Sequence, residues 1–472
     1  VVELRVDESF DVIAAIGGSV WAVDDCEQIE RHLDTKRLRM LALGHTLAQV
    51  TDARGTRWVM HLAGHDDPIE LPADGTEPPP VLVRLMSGII GERPLIDIAT
   101  LTWHHRHLAV SIADGEADVM IDDDVVEGDD GVRRRVRVDL LSGDAEQYAL
   151  AIARLRQAGA ESVQACSVLT ELLAERMAHT RLRRVRLDVD ATLGELAAAS
   201  ITRATRELLA LDPALRLDAL PDEVHDARVA LRRLRSDLRT LEPLVRRRQV
   251  EHLRGELEWL AALLGRVRDL DVLADHVHDW LPSTAIDDEG GRLLLRRLRG
   301  ERRVAAMVLR NALASRRYAR LVRDLRRAAR RVTWKRGVHA GDAAAEPARH
   351  LARRPVRRVE RSVDRLDTPP RVTQLHRVRR QAKAARYAAE LVSPVLDDEL
   401  DALAERMHAV QDVLGALQDT VVVHEWVHGL PPSQLAPAEA WAAARLTRAA
   451  DVAADAARAA WPAAWATVGD AD

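Results

Sequence analysis

Apolar and polar residues alternate over short stretches in the first 140 positions, and the pattern then changes to a period of three to four residues that lasts almost to the end of the chain. WVMHLAG from Trp58, LAVSIADG from Leu108, ADVMIDDDVV from Ala117 and VRVDLLSG from Val136 are broken by Gly, Pro and Asp. Such stretches predict antiparallel strands, with hairpins at Asp114-Gly115 and around Glu127–Gly131. Residues 145–178 predict a helix, a Gly-containing break and a second helix. Beyond Leu193 the periodicity predicts helices separated at Asp212-Pro213, Pro221, Pro282-Ser283, Asp342, Thr368-Pro369-Pro370, Pro394 and Pro431-Pro432. The fold class is therefore α+β and multidomain, an antiparallel β-rich region followed by an all-α region.

The helical region repeats itself. VHDARVALRRLRSDL from Val224 recurs as LHRVRRQAKAARYAA from Leu375, so that His225, Arg228, Arg232 and Arg235 correspond to His376, Arg379, Lys383 and Arg386 at an offset of 151. Spacings of three, four and three place each set within one narrow arc of a helix. Val224, Leu231, Leu234 and Leu238 occupy the adjoining arc, as do Leu375, Ala382, Ala385 and Ala389 in the second copy. LLGRVRDLDVL from Leu263 matches VLGALQDTVVV from Val413, aligning Gly265 with Gly415 and Asp269 with Asp419. Upstream, Arg203 and Arg206 align with Arg354 and Arg357. Two halves, 190–330 and 331–470, follow, and a helical bundle with internal pseudo-twofold symmetry is expected. A basic strip beside the core face suits an anion.

Charge sharpens this picture. Residues 1–200 carry 21 Lys and Arg against 35 Asp and Glu, the remainder 48 against 39, and Arg292–Arg386 holds 30 basic and 7 acidic residues. The helical half is thus expected to meet an anionic partner. Arginine dominates, and its planar fork matches phosphate oxygens. With 472 residues, stability needs no disulfides, and Cys26 and Cys166, the only cysteines, form neither a disulfide framework nor a metal-binding pair. A reducing cytoplasm is expected, with no membrane span and no signal peptide.

The segments VHDARVALRRLRSDL and LGRVRDLDVL, followed by a second histidine helix, resemble the conserved histidine α-helical domain, CHAD, over residues 190–465. The resemblance implies a pair of four-helix bundles, 190–330 and 331–470, enclosing a basic channel that binds inorganic polyphosphate. It assigns that contact to His225, Arg228, Arg232, Arg233 and Arg235, and to His376, Arg379, Arg380, Lys383, Arg386 and Tyr387, with Arg203, Arg206, Arg354 and Arg357 in support. Residues 1–180 resemble a degenerate CYTH domain, the triphosphate tunnel fold, through HLDTKRLRMLALGHTL from His32, which implies an N-terminal antiparallel β-barrel or tunnel. The departures are many. Glu3-Leu4-Arg5-Val6-Asp7 stands for the opening ExExK, Ala48, Gln49 and Val50 replace a basic run, and His61 stands for a tunnel lysine. Arg135, Arg137 and Asp139 stand for late glutamates.

The bland alternatives are specific. His225 and His376 read alternatively as core histidines or caps, and Asp269 and Asp419 as salt-bridge partners. Asp122, Asp123 and Asp124 cannot all converge, because neighbours on a strand face opposite ways, and a surface turn or edge is expected for them. The same alternation argues against a metal at His104-His105-Arg106-His107. The stretch around Trp441, Trp461 and Trp465 reads as a packing helix. No nucleophile and base pair recurs beside the histidines, so no catalytic residue, metal or cofactor is expected. The expected function is non-catalytic polyphosphate binding in the cytoplasm, by family resemblance at polyphosphate granules. A homo-oligomer is compatible with it, and nucleic acid is disfavoured for want of any recognition motif. The alternative is a metal-dependent inorganic triphosphatase in the N-terminal domain.

Overall fold

The computed structural model describes residues 2–112, 117–128, 131–162, 167–178, 187–281, 285–396 and 400–469. The chain divides into two compact units, Val1–Arg183 and Arg184–Asp472. The Asp114-Gly115 turn, Pro282-Ser283 and Cys166 lie outside the described residues.

In the first unit the elements run β1 (Val2–Val6), α1 (Val12–Ile16), β2 (Gly18–Asp34), β3 (Thr46–Asp52), β4 (Gly55–His61), β5 (Ile69–Pro72), α2 (Pro80–Leu85), α3 (Ser87–Ile90), β6 (Ile96–Ile112), β7 (Ala117–Gly128), β8 (Gly131–Gly143), α4 (Ala145–Gln157), β9 (Glu161–Ser162), α5 (Val168–Leu172) and α6 (Ala174–Ala178). The strands form one antiparallel sheet in the order β5-β4-β3-β2-β6-β7-β8-β1-β9. The expected barrel is not closed: the sheet ends in four-residue β5, which closes on Pro72, and in two-residue β9. Edges so short offer few free backbone groups to pair. One face of β1, β6, β7 and β8 buries Leu4, Leu108, Val110, Val119, Ile121, Val136 and Val138 against Val12 and Ile16 of α1 and Ile152 and Leu155 of α4. The opposite face carries charge.

The aspartate run sits on neither a turn nor an edge. It lies in the middle of β7, where Asp122 and Asp123 are buried. Alternation does separate them: Asp122 and Asp124 meet His107 and His105 on one face, and Asp123 meets Arg134 at 2.7 Å.

The second unit comprises α7 (Leu193–Leu217), α8 (Pro221–Leu241), α9 (Arg247–Trp280), α10 (Ala285–Leu313), α11 (Arg316–Ala328), α12 (Ala345–Val363), α13 (Val372–Val392), α14 (Asp401–His428) and α15 (Pro437–Gly469). Local chemistry starts them: Thr192 and Glu195 form a reciprocal capping box on α7, and Glu223 and Gln374 accept from the Leu220 and Arg371 N–H groups that open α8 and α13. Asp212-Pro213 does not end a helix as expected. Arg216 ties the last turn of α7 to buried Asp212 at 2.7 Å and to the Leu313 carbonyl at 2.8 Å, which holds the helix past the missing proline N–H. In the linker before α12 the Ala340 and Asp342 carbonyls accept from the Gly194 and Leu193 N–H groups, satisfying the free N-terminus of α7.

Apolar packing follows the periodicity. One cluster joins Val359 of α12, Leu375 and Val378 of α13, Met407, Val410 and Leu414 of α14, and Ala454 and Trp461 of α15. Another joins α9, α10, α14 and α15 through Leu270, Leu273, Leu294, Leu298, Val423, Leu446 and Ala450. There α10 and α15 approach so closely that a Cβ on Gly290 would collide with the Ala438 carbonyl oxygen and lie 2.7 Å from Ala442 Cβ. Gly290→Val is therefore expected to destabilise the helical unit by about 2–3 kcal/mol through overpacking, read as a lower urea midpoint.

Candidate functional site

Helices α8 and α13 pack against each other. Val224, Ala227, Leu231 and Leu234 are buried on one, and Leu375, Val378, Ala382 and Ala385 on the other. Because each basic stripe borders the apolar arc, this packing brings the two stripe margins together. Arg228, Arg232, Arg379, Lys383 and Arg386 lie within electrostatic reach of one another. The Lys383 ammonium is held down to about 7 by burial, with Arg379, Arg232, Arg386 and Arg228 adding repulsion. Burial likewise lowers Arg379, with repulsion from Arg232 and Arg228 opposed by the attraction of Asp419. Lys383 makes no hydrogen bond or ion pair among the described residues.

The remaining contacts hold the cations and offset their charge only in part. Buried Tyr387 accepts from Arg232 Nε at 2.6 Å, and its ring lies 5.6 Å from the Arg232 guanidinium carbon and 4.6 Å from that of Arg386. Glu390 takes Arg233 at 2.7 Å and Arg386 at 3.2 Å. Arg386 also meets His408 Nδ1 at 2.7 Å. The repeated glycines make room: a Cβ on Gly265 would lie 3.0 Å from Arg228 Nη1, and one on Gly415 would lie 3.9 Å from Arg379 Nη2. Asp269 stands 3.3 Å from Arg228, and burial raises both Asp269 and Asp419, against the pull of Arg228 on the first and of His276 and Arg379 on the second. His225 is lowered by burial and then by Arg268. His376 is lowered by burial and then by Arg380. An anion entering here would raise both.

Other predicted residues lie elsewhere. Arg203 meets Asp237 at 3.5 Å, and Asp237, buried and bonded to the Ser200 hydroxyl at 2.7 Å, is pushed up to about 6 by its burial. Arg206 is half-buried on α7. Arg235, Arg354 and Arg380 line a cleft of about 1000 Å³ between α8, α12 and α13. Arg358, one residue beyond Arg357, lines it too, whereas Arg357 is not on its wall. Arg354 and Arg358 are one turn apart and share a face. The sequence reading missed Arg358, Arg239 and Arg377 in this cleft and Arg268 beside His225. Arg239 had a signal, since it continues the 228, 232, 235 spacing by four.

The N-terminal unit offers a second candidate face, and there acids and bases cancel. His105 binds Asp124 and His107 binds Asp122, each at 2.7 Å, Arg137 also binds Asp122, and Trp103, His105 and His107 stack in a row. Arg135 takes Glu3 at 2.6 Å and Glu171 at 2.9 Å. Among the described residues no three His, Cys, Asp or Glu side chains come together to hold a metal ion, and no helix is long and apolar enough to cross a membrane.

Residues 199–428 match the family model of the CHAD domain. Two proteins of Mycobacterium tuberculosis, the uncharacterized proteins Rv2226 of strain H37Rv and MT2285 of strain CDC 1551, are each 27% identical over 457 residues, covering 90% of this chain and 86% of their own. Among solved structures, the CHAD domain from the plant Ricinus communis superposes with a TM-score of 0.51 at 24% identity, covering 62% of this chain and 96% of its own, and shows the same helical fold. PptA from Streptomyces chartreusis aligns at 23% identity and a TM-score of 0.48, over 58% of this chain and all of its own.

A lysine held charged among arginines opposes folding. Its folded pKa lies below its unfolded value of 10.5, so the unfolded chain binds more protons between about pH 7 and 10.5 and stability rises with pH across that window. Lys383→Met should therefore stabilise the ligand-free protein at pH 6 by about 1–3 kcal/mol, and the gain should shrink by pH 9, as thermal melts at both pH values would read.

Proposed function

We propose, from the premise that residues 199–428 form a CHAD domain, that the helical unit binds inorganic polyphosphate along the paired stripes of α8 and α13 and does not turn it over. The observation that carries this reading is the convergence of Arg228, Arg232, Arg379, Lys383 and Arg386, which repel one another across the helix pair while facing Asp269, Asp419 and Glu390. Such a set is stable only at a cost that a polyanion removes. Polyphosphate places about one negative charge at each regularly spaced unit, and charge-assisted bonds to guanidinium are short and strong. Two stripes from repeated helices present cations to successive phosphates of one chain.

The finer architecture belongs with this reading: a four-helix bundle from residues 190–330 and another from 331–470, with the stripes between them. The four-helix apolar cluster of α12–α15 supports the second bundle. His225 and His376 serve as additional phosphate contacts that gain charge as the anion arrives. No base need be stacked, and Tyr387, the one aromatic ring among the stripe cations, is covered by them and buried, which favours polyphosphate over single-stranded nucleic acid. Residence in the cytoplasm, at polyphosphate granules, and self-association extend the same proposal. Triphosphate hydrolysis in the N-terminal unit is disfavoured, since Asp122, Asp124 and Glu3 are occupied by Arg137, His105 and Arg135.

Titration of the full chain with long-chain polyphosphate at about 150 mM salt should give binding that weakens as salt rises. The R228A/R232A/R379A/K383A variant should lose about 1000-fold in affinity, since each of four lost charge-assisted contacts contributes roughly 1 kcal/mol. Duplex DNA at equal phosphate concentration should bind far more weakly than the polyphosphate. Equal binding of DNA, or an unaffected variant, would defeat the reading.

The anion must also restore the proton on Lys383, so affinity should fall about tenfold from pH 6 to pH 8. Lys383→Arg, which stays protonated, should flatten that profile while keeping affinity at pH 6.

A further inference from the structure

The repeat that aligns the two stripes breaks down at the cleft. Arg235 and Arg354 have arginine counterparts at the 151-residue offset, Arg386 and Arg203. Arg239, Arg358, Arg377 and Arg380 instead correspond to Glu390, Glu207, Asp226 and Val229. The counterpart positions neutralise themselves: Glu390 takes Arg233 and Arg386, and Asp237 takes Arg203. On the cleft side burial lowers Arg239, with Arg254, Arg235 and Arg358 adding repulsion. Glu258, 3.1 Å from Arg235, and Glu242, 3.8 Å from Arg254, stand against them. Four cations have therefore been placed, on one side only, where the other copy carries acids or valine.

The shape narrows the ligand. A volume of about 1000 Å³ exceeds what one phosphate fills and falls in the range of small-molecule sites. Its walls carry no Phe, Tyr or Trp to stack a nucleobase. The side-chain amide oxygen of Gln381 is buried on the wall without a partner. A protonated terminal phosphate can donate to that oxygen, whereas an interior phosphate of a chain, having no proton near neutral pH, cannot.

We infer that this cleft is a separate binding site for a short phosphoanhydride chain or chain end, built on one side of the repeat and absent from the other. The inference deepens the proposed function, sharing its phosphate chemistry and Arg235 while resting chiefly on Arg239, Arg358 and Arg377. A polyanion held on the symmetric stripes would by this means acquire a preferred end.

The test is calorimetric titration of the full chain with tripolyphosphate and, separately, with long-chain polyphosphate. R358E/R377D installs the residues of the other copy, and R358Q/R377Q removes charge more gently should the first fail to fold. Both should lower tripolyphosphate affinity by about tenfold or more while changing long-chain affinity by less than about threefold. R232A/K383A should do the reverse. Wild-type protein that does not bind tripolyphosphate, or a glutamine variant that binds it unchanged, overturns the inference. Tripolyphosphate binding lost in the cleft variants, in a protein that ignores long chains, would instead sink the proposed function and leave the cleft standing. With both sites intact, competition by the long chain identifies a chain end as occupant, and additive binding identifies a free oligophosphate.

Discussion

Repulsion between like charges held in a half-buried place is the constraint around which the helical unit is organised. Water would screen five cations on an open surface to near indifference. Between α8 and α13 they are partly withdrawn from water, and Lys383 drops to about 7 as a result. Packing supplies the force that keeps them there. Leu231, Leu234, Leu375 and Val378 bury apolar area beside the stripes, and each fully buried side chain contributes about 1.5–3 kcal/mol. The cations cannot separate without pulling this core apart. Tyr387 then limits the damage, accepting from Arg232 and offering its ring to two guanidinium groups.

The two copies meet this constraint with different counter-charges. Arg235 pairs with Glu258, and its counterpart Arg386 has Glu390 and His408. Arg228 has Asp269 at 3.3 Å, whereas Arg379 feels Asp419 without a hydrogen bond to it. Divergence of this kind preserves position while freeing the electrostatic surroundings. Under the proposed reading a repeating polymer would tolerate it, since each phosphate would need a cation nearby without the two cations being equally strong.

The stripe was legible in the sequence because duplication printed it twice. Spacing alone assigned His225, Arg228, Arg232 and Arg235 to one arc, and the second copy separated that pattern from an ordinary solvated helix face. The same logic could not find the cleft, whose cations Arg239, Arg358 and Arg377 lie where the copies disagree. Register explains the difference between Arg357 and Arg358: one residue turns a helix by about 100°, more than sequence offsets between diverged copies can resolve. The break expected at Pro213 failed because Arg216, Asp212 and the Leu313 carbonyl are tertiary partners that local propensity does not contain. In the N-terminal unit strand alternation correctly split Asp122 and Asp124 from Asp123. The burial of Asp122 and Asp123 followed from bases on β6 and β8 that only the sheet order brings alongside.

That sheet order also bears on what the N-terminal unit does. Asp122 lies between His107 and Arg137 in a continuous cross-strand register, and Asp124 between His105 and Arg135. A carboxylate so placed is an ion-pair partner first, and releasing it to a divalent cation would leave a buried or half-buried base uncompensated. The rows of Trp103, His105 and His107 and of Asp122 and Asp124 therefore read as a polar lattice that continues the apolar cluster of Leu101, Val126, Val168 and Leu169 along this face, opposite the valine and isoleucine side chains that pack α1 and α4. Under the proposed reading, phosphate contact falls to the helical unit, where α8 and α13 bring Arg228, Arg232, Arg379, Lys383 and Arg386 within reach of one another.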